Sequence, residues 1–127
     1  MYPEDLLYTP EHEWIRVEAD GTVVFGITSF AQDALGDIVY VSLPAIGDEL
    51  VGGQSCGEVE STKSVSDIYA PIDGSVLERN EGLDTATESI NNDPYGDGWM
   101  VRMRPAAPEQ AQALMSAAEY AALIAAG

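Results

Sequence analysis

The sequence predicts a mainly β protein, a flattened antiparallel sandwich or barrel with one short helix in its N-terminal half and helices at its C-terminus. Three observations carry this. Short runs of β-branched and aromatic residues recur at close spacing, each bounded by Gly, Pro or Asp-Gly punctuation. An Ala-rich segment follows Pro105 and Pro108 and has the composition of packed terminal helices. The chain has 127 residues, 46% of them hydrophobic, which suits a single domain (1–127) with a modest core and argues against disorder.

In chain order, Trp14-Ile15-Arg16-Val17-Glu18 alternates bulky and charged side chains as a half-buried strand does. Asp20-Gly21 is a two-residue turn signal, and residues 22–27 return as the partner strand. Ser29 and Gln32 have capping-box spacing, Phe30, Ala34 and Leu35 supply an apolar stripe, and Gly36 suits the exit of a short helix. Residues 38–43 form a strand that Pro44 stops. Turns at Gly47-Asp48 and Gly52-Gly53 precede strands at 55–62 and 65–69, and Pro71 with Asp73-Gly74 turns the chain into 75–79. Residues 46–51 and 72–77 resemble each other faintly, as the halves of a pseudo-symmetric sandwich would. Residues 80–98, rich in Asn, Asp, Gly and Thr, read mostly as loop, and 99–104 as the last strand. A helical tail spans about 108–126: one helix over 109–115, and a second opened by the capping box Ser116-Ala117-Ala118-Glu119.

Five basic residues against 22 acidic ones give a net charge of −17. Such a surface repels phosphate backbones and anionic lipid heads, so neither nucleic acid nor a membrane surface is expected as a partner. Two readings of the charge stand side by side, recognition of basic partner surfaces and a generically acidic, salt-adapted exterior. No apolar run approaches the roughly 18 residues of a membrane span, and the start has neither a basic leader nor an apolar signal core. A single cysteine forms no internal disulfide. The expectation is a cytoplasmic protein.

The basic residues are Arg16, Arg79, Arg102, Arg104 and one lysine, Lys63. Arginine replaces lysine wherever positive charge alone is wanted, but not where an amine must form a covalent bond, because guanidinium stays protonated. Lys63 sits in Gly57-Glu58-Val59-Glu60-Ser61-Thr62-Lys63-Ser64-Val65-Ser66-Asp67. Alternation puts Val59 and Ser61 on one face of a strand and Glu58, Glu60 and Thr62 on the other, with a second strand descending from Val65. The lysine is thus predicted at the tip of a β-hairpin, solvated, free of bulky neighbours and held at a fixed place for a modifying enzyme. An ordinary turn lysine paired with Glu60 or Asp67 is the plainer alternative. Exposed pairs are worth about 0–1 kcal/mol, and an arginine would serve as well.

Other chemistry finds little support. Cys56 reads as a small core side chain. His12, the only histidine, has no second His or Cys beside it for a zinc site and suits packing or hydrogen bonding near Trp14. The glycine pairs are turn residues, and Tyr95 and Trp99 read as packing anchors for the long loop.

Several ordered motifs carry a resemblance over nearly the whole chain: Tyr8-Thr9-Pro10-Glu11-His12-Glu13-Trp14, Gly26-Ile27-Thr28 with Ala31-Gln32, Leu35-Gly36-Asp37-Ile38-Val39, and Leu43-Pro44. Further along come Val59 to Asp67, Tyr69-Ala70-Pro71 and Asp93-Pro94-Tyr95-Gly96-Asp97-Gly98-Trp99. Together they resemble the H-protein family of the glycine cleavage system. The resemblance implies a barrel-sandwich hybrid of the lipoyl- and biotinyl-carrier kind and a subunit that is not itself an enzyme. It implies lipoate amide-linked to Lys63 through lipoyl-attaching enzymes. It further implies a shuttle that takes the aminomethyl group of glycine from a pyridoxal-phosphate glycine decarboxylase (P protein) to a tetrahydrofolate-dependent aminomethyltransferase (T protein). Dihydrolipoyl dehydrogenase (L protein) then reoxidises the dithiol. A monomer is implied, since one arm meets three enzymes in turn. The resemblance also implies arm storage in a cleft, with Glu13 holding a cationic amine and Asp67 near the arm, and leaves Glu60 as a recognition candidate. The chain departs from the family pattern at Ser29 and Phe30, where Asp followed by Tyr or His is common. An H-like lipoate carrier serving other lipoate-dependent enzymes, and an unmodified acidic β-sandwich binding module, are the alternatives.

Overall fold

The computed structural model describes residues 2–127; Met1 lies outside the described residues. Strand β1 (Leu7–Tyr8) pairs with β2 (Glu13–Val17), and the chain turns at Gly21, whose φ of 88° suits a residue without Cβ, to return as β3 (Val23–Ile27). Helix α1 (Ser29–Leu35), β4 (Ile38–Ser42) and the short β5 (Glu49–Leu50) follow. The hairpin β6 (Ser55–Ser61) and β7 (Val65–Tyr69) precedes β8 (Gly74–Arg79). A 3-10 turn (Glu81–Asp84) and α2 (Glu88–Asn92) lead to β9 (Val101–Pro105), then α3 (Glu109–Gln112) and α4 (Ala117–Ala126).

Among the described residues the strands form two antiparallel sheets, ordered β1-β2-β3-β9-β8-β5 and β4-β6-β7, and neither closes into a barrel. The fold is the expected β-sandwich. Its core lies between the sheets, where Ile15, Phe25, Val76, Val101 and Met103 of the larger sheet share a buried cluster with Val41, Val59 and Ile68 of the smaller. A second cluster covers the back of the larger sheet, joining Leu6, Tyr8, Trp14 and Val24 to Tyr120 of α4.

That second cluster explains where alternation misleads. Strand β3 is buried at all five positions and β2 at Glu13, Trp14 and Ile15, because both faces of this part of the sheet are covered. Gly26 makes the back layer possible: a Cβ there would lie 2.9 Å from Trp14 Nε1. The indole lies flat against the strand, and its N–H donates to the Pro94 carbonyl at 2.9 Å, pinning the loop before β9.

Other sequence expectations need correction. The first helix is capped by Thr28, not Ser29: Thr28 is extended, and its Oγ1 accepts from Ala31 N at 3.2 Å. Gln32 instead donates through Nε2 to the Ser29 carbonyl. Residues 80–98 are loop over just more than half their length, as expected, but the sequence reading left out two short helical pieces, the 3-10 turn and α2, which buried Leu83 and Ile90 anchor to the core despite their polar neighbours. Asn80 caps the 3-10 turn, accepting from Gly82 N. The last strand starts at Val101, since Trp99 N closes a turn onto Gly96 O. The helix expected over 109–115 ends at Gln112, after which Met115 exchanges two backbone hydrogen bonds with Tyr8. The capping box at Ser116 and Glu119 is present as expected.

Candidate functional site

Lys63 is exposed at the apex of the β6–β7 hairpin. Strand β6 alternates as its sequence predicts, with Val59 and Ser61 buried and Glu58 and Glu60 exposed. Ser61 ties the tip together. Its backbone N–H donates to Ser64 O at 2.8 Å, and its hydroxyl donates to the same carbonyl while accepting from Lys63 N at 3.2 Å and Ser64 N at 3.1 Å. Thr62 N donates to Asp37 O, joining the tip to the segment that leaves α1. The Lys63 stem lies over Gly36, where a Cβ would be 3.6 Å from Cε and where φ is 84°. The backbone of the tip is therefore fixed while the amine is free. Among the described residues the ion pairs are Arg16–Glu18, Arg79–Asp84, Arg102–Glu18 and Arg102–Glu78, so neither Glu60 nor Asp67 neutralises Lys63.

A cleft of about 260 Å³ opens beside the hairpin. Val59, Ser66 and Asp67 contribute to it from β6 and β7, Ile27 and Leu35 give it an apolar wall, and Glu11 and Glu13 add carboxylates. Helix α1 packs on the core through Ala31 and Leu35, and a slot remains between it and the lysine-bearing sheet. Glu13 is 1% exposed. Its Oε1 accepts from Thr9 Oγ1 at 2.6 Å and its Oε2 from Tyr69 N at 3.3 Å. Burial pushes its carboxyl up to about 7, against the lowering effect of those two hydrogen bonds and with a further push from the Glu11 charge. Asp67 stays at the exposed rim, its carboxylate near the Ser55 and Tyr69 hydroxyls.

The structure therefore brings Glu13 and Asp67 into one cleft and leaves Glu60 outside it. Glu60 stands on the outer face of the three-stranded sheet, opposite Tyr40 and Val65 in register. Sequence reasoning missed Glu11, although its spacing of two from Glu13 could have suggested a shared side. It also missed how His12 is used. With φ of 74°, His12 is the one non-glycine residue in the left-handed region among the described residues. Its Nδ1 meets Tyr120 OH at 2.8 Å, Tyr120 OH meets Thr28 Oγ1 at 2.8 Å, and the imidazole tilts against Phe30 with centroids 4.9 Å apart. Desolvation lowers the His12 pKa, consistent with a neutral ring accepting from Tyr120. Ser29 N donates to Tyr95 OH, so Tyr95 anchors the long loop, as its sequence position suggested.

Elsewhere, a polar hollow of about 520 Å³ reaches from Pro44 past Cys56 to Glu58. Cys56 is half-buried rather than fully internal, and burial pushes its thiol up to about 12, leaving too little thiolate for nucleophilic work. Among the described residues no group of three or more His, Cys, Asp or Glu could hold a metal, and no helix is long and apolar enough to cross a membrane.

Comparison with known proteins agrees with this geometry. The glycine cleavage H-protein family model matches residues 6–126. The glycine cleavage system H protein of Halorhodospira halophila is 50% identical over 123 residues, covering 97% of this chain and 95% of that protein. The one from Anaeromyxobacter sp. strain K is 54% identical over 122 residues, covering 96% and 94%. A crystal structure of a glycine cleavage system H protein from Mycobacterium marinum superposes with a TM-score of 0.89 at 44% identity, over 97% of this chain and 98% of that one. The chain belongs to the glycine cleavage H-protein family and is a lipoyl-bearing carrier of that system, not a catalyst in its own right.

Proposed function

We propose that the lipoyl group of this carrier is amide-linked to Nζ of Lys63, and that the whole chain works as a single carrier domain that presents and stores the arm. The observation that carries the assignment is the placement of the only lysine: exposed, unpaired and at the apex of a hairpin whose backbone Ser61 fixes. An enzyme that acylates an amine needs it accessible and repeatably placed, and a preformed tip removes most of the entropic cost of ordering it.

When bound, lipoate supplies a dithiolane that accepts two electrons and carries a one-carbon unit bearing an amine. The chain's own residues do the rest. Ile27, Leu35 and Val59 offer an apolar slot that excludes water from a stored arm. Glu13 would hold a cationic amine at the base of that slot. Protonation of its carboxyl is half complete near pH 7, and an arriving ammonium would favour the ionised form. Thr9 and Tyr69 N keep the carboxylate aimed, and Asp67 guards the rim. Phe30 brings an aromatic wall rather than a polar contact, so the carboxylates of Glu11, Glu13 and Asp67 are the anionic groups the cleft offers an amine.

The shuttle takes the aminomethyl group of glycine from the P protein to the T protein, and the L protein restores the dithiol. Its attachment through lipoyl-attaching enzymes, its action as a monomer and its residence in the cytoplasm complete the proposal. The test is reconstitution: the lipoylated chain with P, T and L proteins supports glycine-dependent release of carbon dioxide, and Lys63→Arg abolishes it with an unchanged circular dichroism spectrum. Turnover by a folded Lys63→Arg protein would refute the assignment.

A further inference from the structure

The fold segregates charge in a way the linear sequence does not reveal. All four arginines stand on the six-stranded sheet, Arg16 on β2, Arg79 on β8, and Arg102 and Arg104 on β9. Three of them are already engaged by Glu18, Glu78 and Asp84. The three-stranded sheet carries Glu58, Glu60 and Asp67, and its one cation is Lys63 at the hairpin tip. Residues directly opposite one another in register share a face. The outer face therefore presents a row of Tyr40, Glu60 and Val65 nearest the tip, and behind it a row of Ser42, Glu58 and Asp67. Tyr40 is 57% and Val65 58% exposed, so the row nearest the lysine has two apolar side chains flanking a carboxylate. The extra residue Val39, where β4 shifts register against β6, adds a third exposed apolar side chain at this edge.

We propose that this face is the surface on which an arm-accepting enzyme seats, and that acylation of Lys63 switches it on by removing its one positive charge. An amide at Nζ is neutral, so the modified protein offers carboxylates alone around an apolar pair. The partner surface that fits is a rim of Lys and Arg around the narrow entrance that takes the arm, with an apolar patch to meet Tyr40 and Val65. The tether is anchored at the tip of this sheet, and Glu60, paired with Val65 in the last register position before the tip, is the carboxylate of the face nearest that anchor. The unmodified amine opposes such a rim by like-charge repulsion, so chains without the arm compete poorly for the enzyme. This inference rests on Lys63 bearing the arm.

The experiment separates charge from arm. Affinity for the purified aminomethyltransferase of the system is measured for the unmodified chain, the lipoylated chain and Lys63→Gln, which is neutral and armless. Salt is set at about 20 mM and about 500 mM, where screening is weak and strong respectively. At low salt Lys63→Gln is expected to bind about threefold or more tightly than the unmodified chain, and that ratio falls to near one at high salt. In the lipoylated protein the double variant Glu58→Gln/Glu60→Gln weakens low-salt binding roughly tenfold, whereas Glu4→Gln/Glu109→Gln, with the same charge loss outside this sheet, changes it less than about twofold. Tyr40→Ala weakens binding at both salt concentrations. Equal affinity of Lys63→Gln and the unmodified chain at low salt overturns the proposal, as does equal weakening by the two double variants. Absence of a lipoyl group from Lys63 in the mass of the same lipoylated sample would instead refute the attachment site, so the two failures are distinguishable.

Discussion

Burial holds the Glu13 carboxyl at about 7, where an unfolded chain would ionise near 4.5, and this single group links the cleft to pH. The raised value means that the fold favours the protonated form. The stability it confers is complete below the unfolded pKa and is lost as pH rises through about 7. At about 1.4 kcal/mol for each pKa unit, the loss is at most about 3 kcal/mol. Glu13→Gln removes the titration but keeps a side chain able to bond Thr9 and Tyr69 N. Denaturant unfolding at pH 5 and pH 8 should therefore show the variant gaining about 2 kcal/mol on the wild type between the two. Parallel stabilities would mean that Glu13 does not titrate in this range. The same substitution leaves lipoylation intact and shortens the lifetime of the loaded carrier. Glu13 was legible in the sequence only through the family resemblance, since nothing in an alternating strand distinguishes a buried carboxyl from an exposed one. Lys63 was legible directly, because its uniqueness and its small polar neighbours are both properties of composition.

At the level of elements, the lysine hairpin and the α4 latch make separable predictions. Ser61 is 6% exposed, and its hydroxyl closes the tip through one donated and two accepted hydrogen bonds. Ser61→Ala should loosen the tip, seen as faster amide hydrogen exchange at Lys63 and Ser64, with a loss of about 1–2 kcal/mol in global stability. Unchanged exchange would show that the backbone bond from Ser61 to Ser64 suffices. Tyr120 stacks on Tyr8 at 4.8 Å and bonds both His12 and Thr28, so α4 reaches the wall of the cleft through one phenol. Tyr120→Phe keeps the stack and breaks both bonds. Differential exchange should show deprotection at His12 and around Thr28 but not in the β6–β7 hairpin, with a cost of about 1–3 kcal/mol for the buried groups left unpaired. The hairpin was readable because β6 has one buried face and follows the period of two. The cap at Thr28 was not, because Thr28 and Ser29 are both good caps and the choice falls to which residue stays extended. Helix α2 was hidden because a single buried Ile90 among Asn, Asp and Ser gives no periodic signal.

Across the whole molecule, the larger sheet is buried on both faces at β2 and β3 and the smaller sheet on one face only, and this asymmetry separates structure from recognition. The back layer of Tyr8, Trp14 and Tyr120 takes β2 and β3 of the larger sheet into the interior, while the lysine-bearing sheet keeps an open, acidic outer face. The antiparallel architecture and the seven longer strands could be read from the punctuation of the sequence, whereas the two-residue strands β1 and β5 are too short to leave a pattern. The two-sided burial could not, since it depends on α4 folding back across residues distant in sequence. Removing residues 117–127 should expose Tyr8 and Trp14 and lower the midpoint of thermal unfolding by more than about 5 °C, with binding of an apolar dye. An unchanged midpoint would show that α4 is not part of the cooperative unit. The central claim remains the carriage of the arm by one amine. Peptide-resolved mass measurement of the chain after expression in a host supplied with lipoate tests it most directly. One lipoyl addition on the peptide containing Lys63, and none in Lys63→Arg, is the outcome this account predicts; an addition at any other site, or one that survives Lys63→Arg, contradicts it.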